Sequence, residues 1–363
     1  MGAMTERRTR LDSLAITTLV GCCALWGLNH AITKLTLAEI PPLLQAGSRS
    51  VLAALLVAVW AGWQGISLSL RNGTLPGGLM AGATFAAEFA CIYTGLQYTE
   101  ASRMIVFIYL APFVVALGMP LVARSERPSA AQLAGLAVAF SGVAWAFAEG
   151  LTGSPVPGQE RRWLGDALGV LAAVLWGCNT LVLRGSRLAT ATPVQALFYQ
   201  LAISGVLLVA GSLAAGEAWP APARLSVQAW ALMGFQVVVV SFVSYLLWFW
   251  LLRRYPATQV TAFTLLTPLA GLLAGVGLLG EPLTLRLAVA CATVVLGIAL
   301  VNLAPARVSP GRSTAAPRVT LTAAASHTVD FPCSRSAASR FPTTTTRSSW
   351  PCSRKASRST KNW

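Results

Sequence analysis

Ala24-Leu25-Trp26-Gly27-Leu28-Asn29 returns as Val174-Leu175-Trp176-Gly177-Cys178-Asn179, 150 residues later, and both copies lie in continuously apolar surroundings. A second echo matches Ala101-Ser102, Phe107, Leu110 and Pro112 with Ala257-Thr258, Phe263, Leu266 and Pro268, at an offset of 156. A third pairs Glu126 and Gly142 with Glu281 and Gly297, at an offset of 155. Landmarks that recur in the same order mark a duplicated chain, and the small drift in offset fits loop insertions. In an apolar chain such a repeat points to a secondary transporter, because two similar halves can form the two sides of one alternating-access site.

The composition requires a membrane. With 55% hydrophobic residues, 11% charged residues and a mean hydropathy of +0.64, 363 residues carry too little polar surface for a soluble globule. The net charge of +15 is concentrated: residues 304–363 hold ten Lys/Arg and one acid, so the tail supplies +9 and the rest +6. That remainder suits cytoplasmic loops facing anionic lipid, and no basic face with interleaved aromatics exists to bind nucleic acid. Seven cysteines without a CxxC pair, and two histidines, exclude zinc and redox chemistry, so no metal and no cofactor is expected. The chain has neither the clustered nucleophiles of a membrane enzyme nor a GxxxxGK[ST] loop for ATP.

A spanning helix needs about 20 apolar residues. Ten such windows fit, near 13–34, 41–62, 75–97, 101–122, 130–149, 164–184, 193–215, 228–252, 257–279 and 284–303. The fold class is therefore all-α integral membrane, with ten transmembrane helices in two inverted five-helix repeats. Residues 1–12 form a cytoplasmic N-terminus, 13–149 the first repeat, 150–163 a periplasmic linker, 164–303 the second repeat and 304–363 a basic tail expected to be disordered. The tail's abrupt change to Ser, Thr, Arg, Pro and Ala fits a solvated tail, a polybasic anchor or a misread reading frame. No cleavable signal is expected, since Arg7, Arg8 and Arg10 precede an apolar run of full spanning length. A cytoplasmic N-terminus puts ten Lys/Arg before residue 304 on the inside and six on the outside. Five helices per half is an odd number, so a tandem copy must be inverted.

The Trp-Gly-x-Asn of each half, Arg49 in the second window, Ala-Ser/Thr opening the fourth window of each half with Pro112 and Pro268 inside it, and Gly280-Glu281 before the last window together resemble the drug/metabolite transporter superfamily, EamA type. The resemblance covers residues 13 to 303. It implies ten helices in two EamA repeats, both termini in the cytoplasm of a bacterial-type inner membrane, and transport of a small molecule. Family members are similar to exporters of amino acids and other metabolites, and some relatives move sugar phosphates or purines. The chain departs from the pattern at Ser125, where the second half has Gly280, and in its tail.

Charges deep in a bilayer are costly and so are functional candidates. Glu88 lies 13 residues beyond Leu75 and Arg49 eight beyond Pro41, which places both roughly 10–12 Å below the outer edge of a ~30 Å core. They either flank a central cavity, with Glu88 taking a proton or a substrate ammonium, or form a fixed ion pair. At the 156 offset Glu88 becomes Ser244, an asymmetry that favours binding over fold maintenance. Asn29 and Asn179 suit interhelical adhesion or cavity lining, His30 suits a proton group, and Lys34 suits snorkelling to the interface. Trp26, Tyr93, Trp176, Tyr245, Trp248 and Phe249 supply an aromatic lining. Pro112 and Pro268 are expected to bend their helices. Gly271-Leu-Leu-Ala-Gly275 suits either a homodimer contact or close packing within the chain. The partners expected are a small-molecule substrate, the lipid bilayer and protons. The function expected is export of a small, amino-acid-like or amphipathic metabolite by alternating access, driven by the proton gradient or the substrate's own gradient, with an uncoupled channel or a non-transporting membrane partner as the alternative and an integral-membrane enzyme less favoured.

Overall fold

The computed structural model describes residues 11–68, 72–122, 126–127, 129–152, 160–255, 260, 263–303 and 307–308. The tail expected beyond residue 304, apart from 307–308, most of the expected N-terminal segment, the middle of the linker and the Ala257-Thr258 echo lie outside the described residues.

The first half contains α1 (Ser13–Thr36), α2 (Pro42–Trp63), α3 (Leu75–Gly95), α4 (Ala101–Ile108), α5 (Ala111–Val122) and α6 (Ala130–Thr152). The second contains α7 (Arg162–Gly185), α8 (Pro193–Ala214), α9 (Val227–Gly234), a π-helical segment (Phe235–Ser244), α10 (Tyr245–Arg254), α11 (Leu266–Leu279) and α12 (Leu285–Leu303). A two-residue antiparallel pairing joins Glu126–Arg127 to Arg307–Val308. Seven segments are long and apolar enough to cross a membrane, one combining α4 with α5 and one running from α9 through Leu251. Three shorter apolar helices fall at Leu133–Glu149, Phe263–Leu279 and Leu285–Leu300. Leu55, Val59, Leu121, Leu273 and other large apolar side chains stay exposed, as befits a surface whose solvent is lipid.

Local signals start the helices. Asp12 caps α1 by accepting from Ala15 N–H (2.9 Å), Thr192 caps α8 through Gln195 N–H (3.2 Å) and Ser226 caps α9 through Ala229 N–H (3.0 Å). Pro42 and Pro193 occupy first-turn positions, where the missing N–H costs nothing.

The largest interfaces pair α6 with α12, α2 with α8 and α3 with α7, followed equally by α1 with α11 and α3 with α8. Exchanging the halves turns α1 against α11 into α7 against α4 and α5, and turns α3 against α7 into α1 against the α9–α10 span. All of these contacts are present. The Trp-Gly steps make two of them. A Cβ on Gly27 would lie 2.5 Å from the Gly271 nitrogen, and one on Gly177 would lie 2.5 Å from Val114 Cβ. Gly271 meets Ile105 and Gly275 meets Ser102 and Glu281, so both glycines of the GxxxG segment are used inside the chain.

The end of the bundle that holds the α1–α2 loop is tied by polar contacts between halves. Glu217 accepts from Leu43 and Leu44 N–H (3.0 and 2.9 Å) at the start of α2, and Glu281 accepts from Ala101 and Ser102 N–H (2.7 and 2.9 Å) at the start of α4. Glu39 accepts from the hydroxyl and N–H of Ser226 before α9, and these bonds hold its carboxyl below the usual glutamate range. Each carboxylate meets orphan N–H groups and the positive end of a helix dipole. Lys34 does not snorkel. Its ammonium donates to Thr99 O (2.7 Å) and lies 3.4 Å from Glu281 Oε1, because both acceptors sit within reach of the end of α1. Nearby, buried Arg103 bonds Asp166, Glu149 (2.8 Å) and Ala146 O (2.7 Å), and Asp166 also accepts from the Thr99 hydroxyl (2.6 Å). Arg162 pairs with Glu100 at 2.8 Å. The network anchors α4 to α6 and α7.

Gly27→Val should lower stability in detergent by about 1–3 kcal/mol through overpacking against α11. Gly21→Val, on the same helix with nothing within 4 Å of an added Cβ, should change it little; thermal unfolding of the two variants side by side checks this. Arg103→Met should cost about 3–5 kcal/mol by stranding the buried Asp166, Asp166→Ala should cost less because Arg103 keeps Glu149 and Ala146 O, and the double variant should lose less than the sum. Additive losses in a double-mutant cycle would argue against the pair.

Candidate functional site

Both halves wall a cavity of about 290 Å³. From α1 it takes Trp26, Asn29 and His30, from α2 Arg49, and from α3 Glu88 and Tyr93. From the second half it takes Trp176 and Asn179 of α7, Gln200 of α8, and Tyr245, Trp248 and Phe249 of α10. Asn29 and Asn179 lie two residues beyond Gly27 and Gly177, whose close contacts seat α1 and α7 on their partners.

The charges belong to the first half. Arg49 (2% exposed) stacks its guanidinium over the Phe89 ring, 4.1 Å from its centroid, with the Tyr93 ring at 5.6 Å. Such stacking favours the cation where water is excluded. Glu88 (5% exposed) faces the same space. No ion pair of 4.0 Å or less joins these two among the described residues, so the fixed-pair arrangement is not formed. Aligning Pro42 with Pro193 makes Gln200 the counterpart of Arg49, as Ser244 is of Glu88, so the second half places neutral groups where the first places charges.

Aromatic rings form much of the remaining wall. Trp26 meets Trp248 edge-on at 5.1 Å and Tyr245 at 6.0 Å, and Tyr109 meets Trp176 edge-on at 5.5 Å. Ser244 stands behind this wall instead of lining it. Its hydroxyl donates to Val240 O (2.6 Å) and accepts from Trp26 Nε1 (2.8 Å), so it orients the indole. Tyr93 is similarly held: its hydroxyl donates to Gln236 Oε1 (3.0 Å), which also accepts from Gln45 Nε2 and the Thr33 hydroxyl, each at 3.3 Å.

Several polar atoms on the wall are buried without a hydrogen-bond partner: Asn29 Oδ1, Asn179 Oδ1, Glu88 Oε2, His30 Nδ1 and Arg49 Nε. Buried polar atoms are normally paired, so their convergence on one cavity is informative. The prolines take separate roles. Tyr109–Leu110 interrupts the fourth span just before Pro112, whose missing N–H cannot continue the ladder. Pro268 instead lies in the first turn of α11, after a 3₁₀ turn at Phe263–Leu265, so it starts a helix and does not bend one in the middle. Tyr109, Thr180, Gln200, Thr264 and Thr267 complete the polar lining without having been singled out in the sequence. The offset that maps Arg49 onto Gln200 was the available signal for one of them.

The comparisons agree with this architecture. The model of the EamA-like transporter family matches twice, over residues 13–148 and 163–303. A protein of Escherichia coli (strain K12) described as a probable amino-acid metabolite efflux pump is 30% identical over 264 residues, covering 71% of this chain and 85% of that protein. An uncharacterized transporter of Bacillus subtilis (strain 168) is 30% identical over 286 residues, covering 77% and 88%. A solved structure titled only as the crystal structure of a protein aligns with a TM-score of 0.55 at 19% identity, over 80% of this chain and 98% of its own, a likeness of fold alone. The chain is a multi-pass membrane transporter, not an enzyme, and it belongs to the EamA-like transporter family.

Proposed function

We propose that the chain exports a small, amphipathic or amino-acid-like metabolite by alternating access, crossing the membrane ten times as two inverted five-helix repeats with both termini in the cytoplasm. The seven long and three shorter apolar helices supply ten segments, and the exchange of interfaces between the halves fits an inverted pair. In this orientation the α1–α2 end is external. Two EamA segments at 13–149 and 164–303, joined by a periplasmic linker and followed by a basic tail, complete the reading.

The observation that carries it is the unpaired polar set on the cavity wall. Asn29 Oδ1, Asn179 Oδ1 and Glu88 Oε2 are acceptors, and Arg49 Nε is a donor. An ammonium answers the first group and a carboxylate or other anionic oxygen answers the second. The aromatic wall then receives an apolar side chain, and an ammonium beside those ring faces gains cation–π attraction. A cavity of about 290 Å³ lies at the lower end of the ~300–1,000 Å³ range of small-molecule sites, the scale of a small metabolite. Glu88 either holds the substrate's ammonium or exchanges a proton during the cycle. The name of the Escherichia coli relative supports both the outward direction and the substrate class.

Bacterial cells expressing the chain should enrich a compound in the medium relative to cells expressing Glu88→Gln at equal membrane abundance. Loss of a buried charge-assisted contact, about 1.5–3 kcal/mol, should reduce release at least tenfold and remove its dependence on external pH. Equal release by both proteins at every pH would remove Glu88 from the mechanism, and enrichment inside the cells would reverse the direction.

A further inference from the structure

The Glu281 contact is a carboxylate from the α11–α12 loop seated on the start of a helix in the other half. Oε1 takes the Ala101 N–H at 2.7 Å and Oε2 the Ser102 N–H at 2.9 Å, while the Lys34 ammonium lies 3.4 Å from Oε1. The loop is built for this reach. Gly280 has φ 65°, a conformation that other residues enter at a cost, and Gly275 leaves the room that Glu281 Oε2 fills, since an added Cβ would collide with it. Glu100, the residue before α4, makes no side-chain cap, so Glu281 supplies the cap from outside the helix. Each side of the contact has a further anchor: Arg103 fixes α4 to α6 and α7 through buried ion pairs, and α11 packs on α1 at Gly27 as well as on α4 at Ile105 and Ser102.

We propose that Glu281 is the latch of the external gate: seated on the first N–H groups of α4 beside Lys34, it holds the α1–α2 end of the transport pathway shut, and its release opens the cavity to that side. This rests on the alternating-access reading. Its chemistry suits a reversible closure. A carboxylate leaving a helix N-terminus exchanges its bonds for water, and the freed N–H groups do the same, so the latch can open without stranding a buried charge. The Arg103 pairs, closed off on three sides by protein acceptors, have no such exchange and stay fixed.

Spin labels at Gln97→Cys and Leu283→Cys, both exposed and flanking the contact, report its opening by pulsed electron–electron distance measurement in a cysteine-depleted background in lipid nanodiscs. The parent should show a dominant short distance and a minor long one. Glu281→Gln should raise the long-to-short ratio by roughly tenfold, and Lys34→Met by less. Ala101→Pro is an independent variant on the other side of the contact. It removes one donor at a helix position where proline is tolerated, after a residue already extended at ψ 149°, and should shift the ratio in the same direction. Two distances in the parent with an unchanged ratio in Glu281→Gln and Ala101→Pro would overturn the latch while leaving alternating access standing. A single unchanging distance in every protein, with no substrate release in the flux assay, would overturn both.

Discussion

Close backbone approach at two glycines sets the geometry on which everything else depends. In a bilayer, helices gain little from hiding apolar side chains from one another, since lipid is equally apolar, and association comes from packing contact and a few polar bonds. Gly27, close against the Gly271 backbone, and Gly177, close against the Val114 side chain, provide two such contacts. The approach also fixes rotation. With Gly27 facing α11, Trp26 and Asn29 are turned into the space between the halves, and Gly177 does the same for Trp176 and Asn179. A bulkier side chain at either glycine would push the helix outward and move its part of the cavity wall along with it.

Within that frame the polar groups divide into two populations. At the α1–α2 end nearly every buried charge is answered: Arg103 by Asp166, Glu149 and Ala146 O, Arg162 by Glu100, Glu281 by two N–H groups and Lys34. In the cavity Glu88 and Arg49 lie close enough to belong to one site, yet each keeps a buried atom unpaired. An unsatisfied buried group costs about 1–3 kcal/mol. Selection for stability alone would pair these residues or replace them with leucine. A ligand with a complementary donor and acceptor would complete the set, and the well-paired end supplies stability against the cost of leaving it incomplete.

The fold was legible because membrane helices announce themselves by length and hydropathy, and the duplication by the recurring Trp-Gly-x-Asn. Arg49 and Glu88 were legible for a related reason: a charge in an apolar run is conspicuous. Gln200, Tyr109 and Thr267 were not, because a neutral polar residue in such a run is cheap when it faces a neighbour and shows its role only once the helices are assembled. Arg103 gave no sign of its partners, since its sequence position at the start of a span says nothing of the acid that waits on α7. Lys34 read as a snorkelling residue because an end-of-helix lysine ordinarily reaches for the interface, and only the fold brings Thr99 O and Glu281 within its range. The π-helical turns of Phe235–Ser244 had no signal at all, as no residue type demands that geometry.

The asymmetry between the halves gives the duplication its use. Two identical copies would place identical groups on both sides of the cavity, and an amphipathic ligand has different ends. Here the first half holds the charges, Arg49 and Glu88, and the corresponding positions of the second half hold Gln200, which lines the cavity, and Ser244, which orients Trp26. The span that carries Ser244 is also the one that leaves α-helical geometry, and its π segment is tied at both ends to cavity residues, through Gln236 to Tyr93 and through Ser244 to Trp26. π-helical turns cluster at functional sites because they add a residue to a turn and re-aim the side chains beyond it. The first half carries the two charges of the cavity, and the second carries a π segment bonded to Tyr93 and Trp26. A ligand that moved either ring would change the bonds of a helix from the opposite half, the kind of coupling between occupancy and conformation on which the proposed alternating access depends.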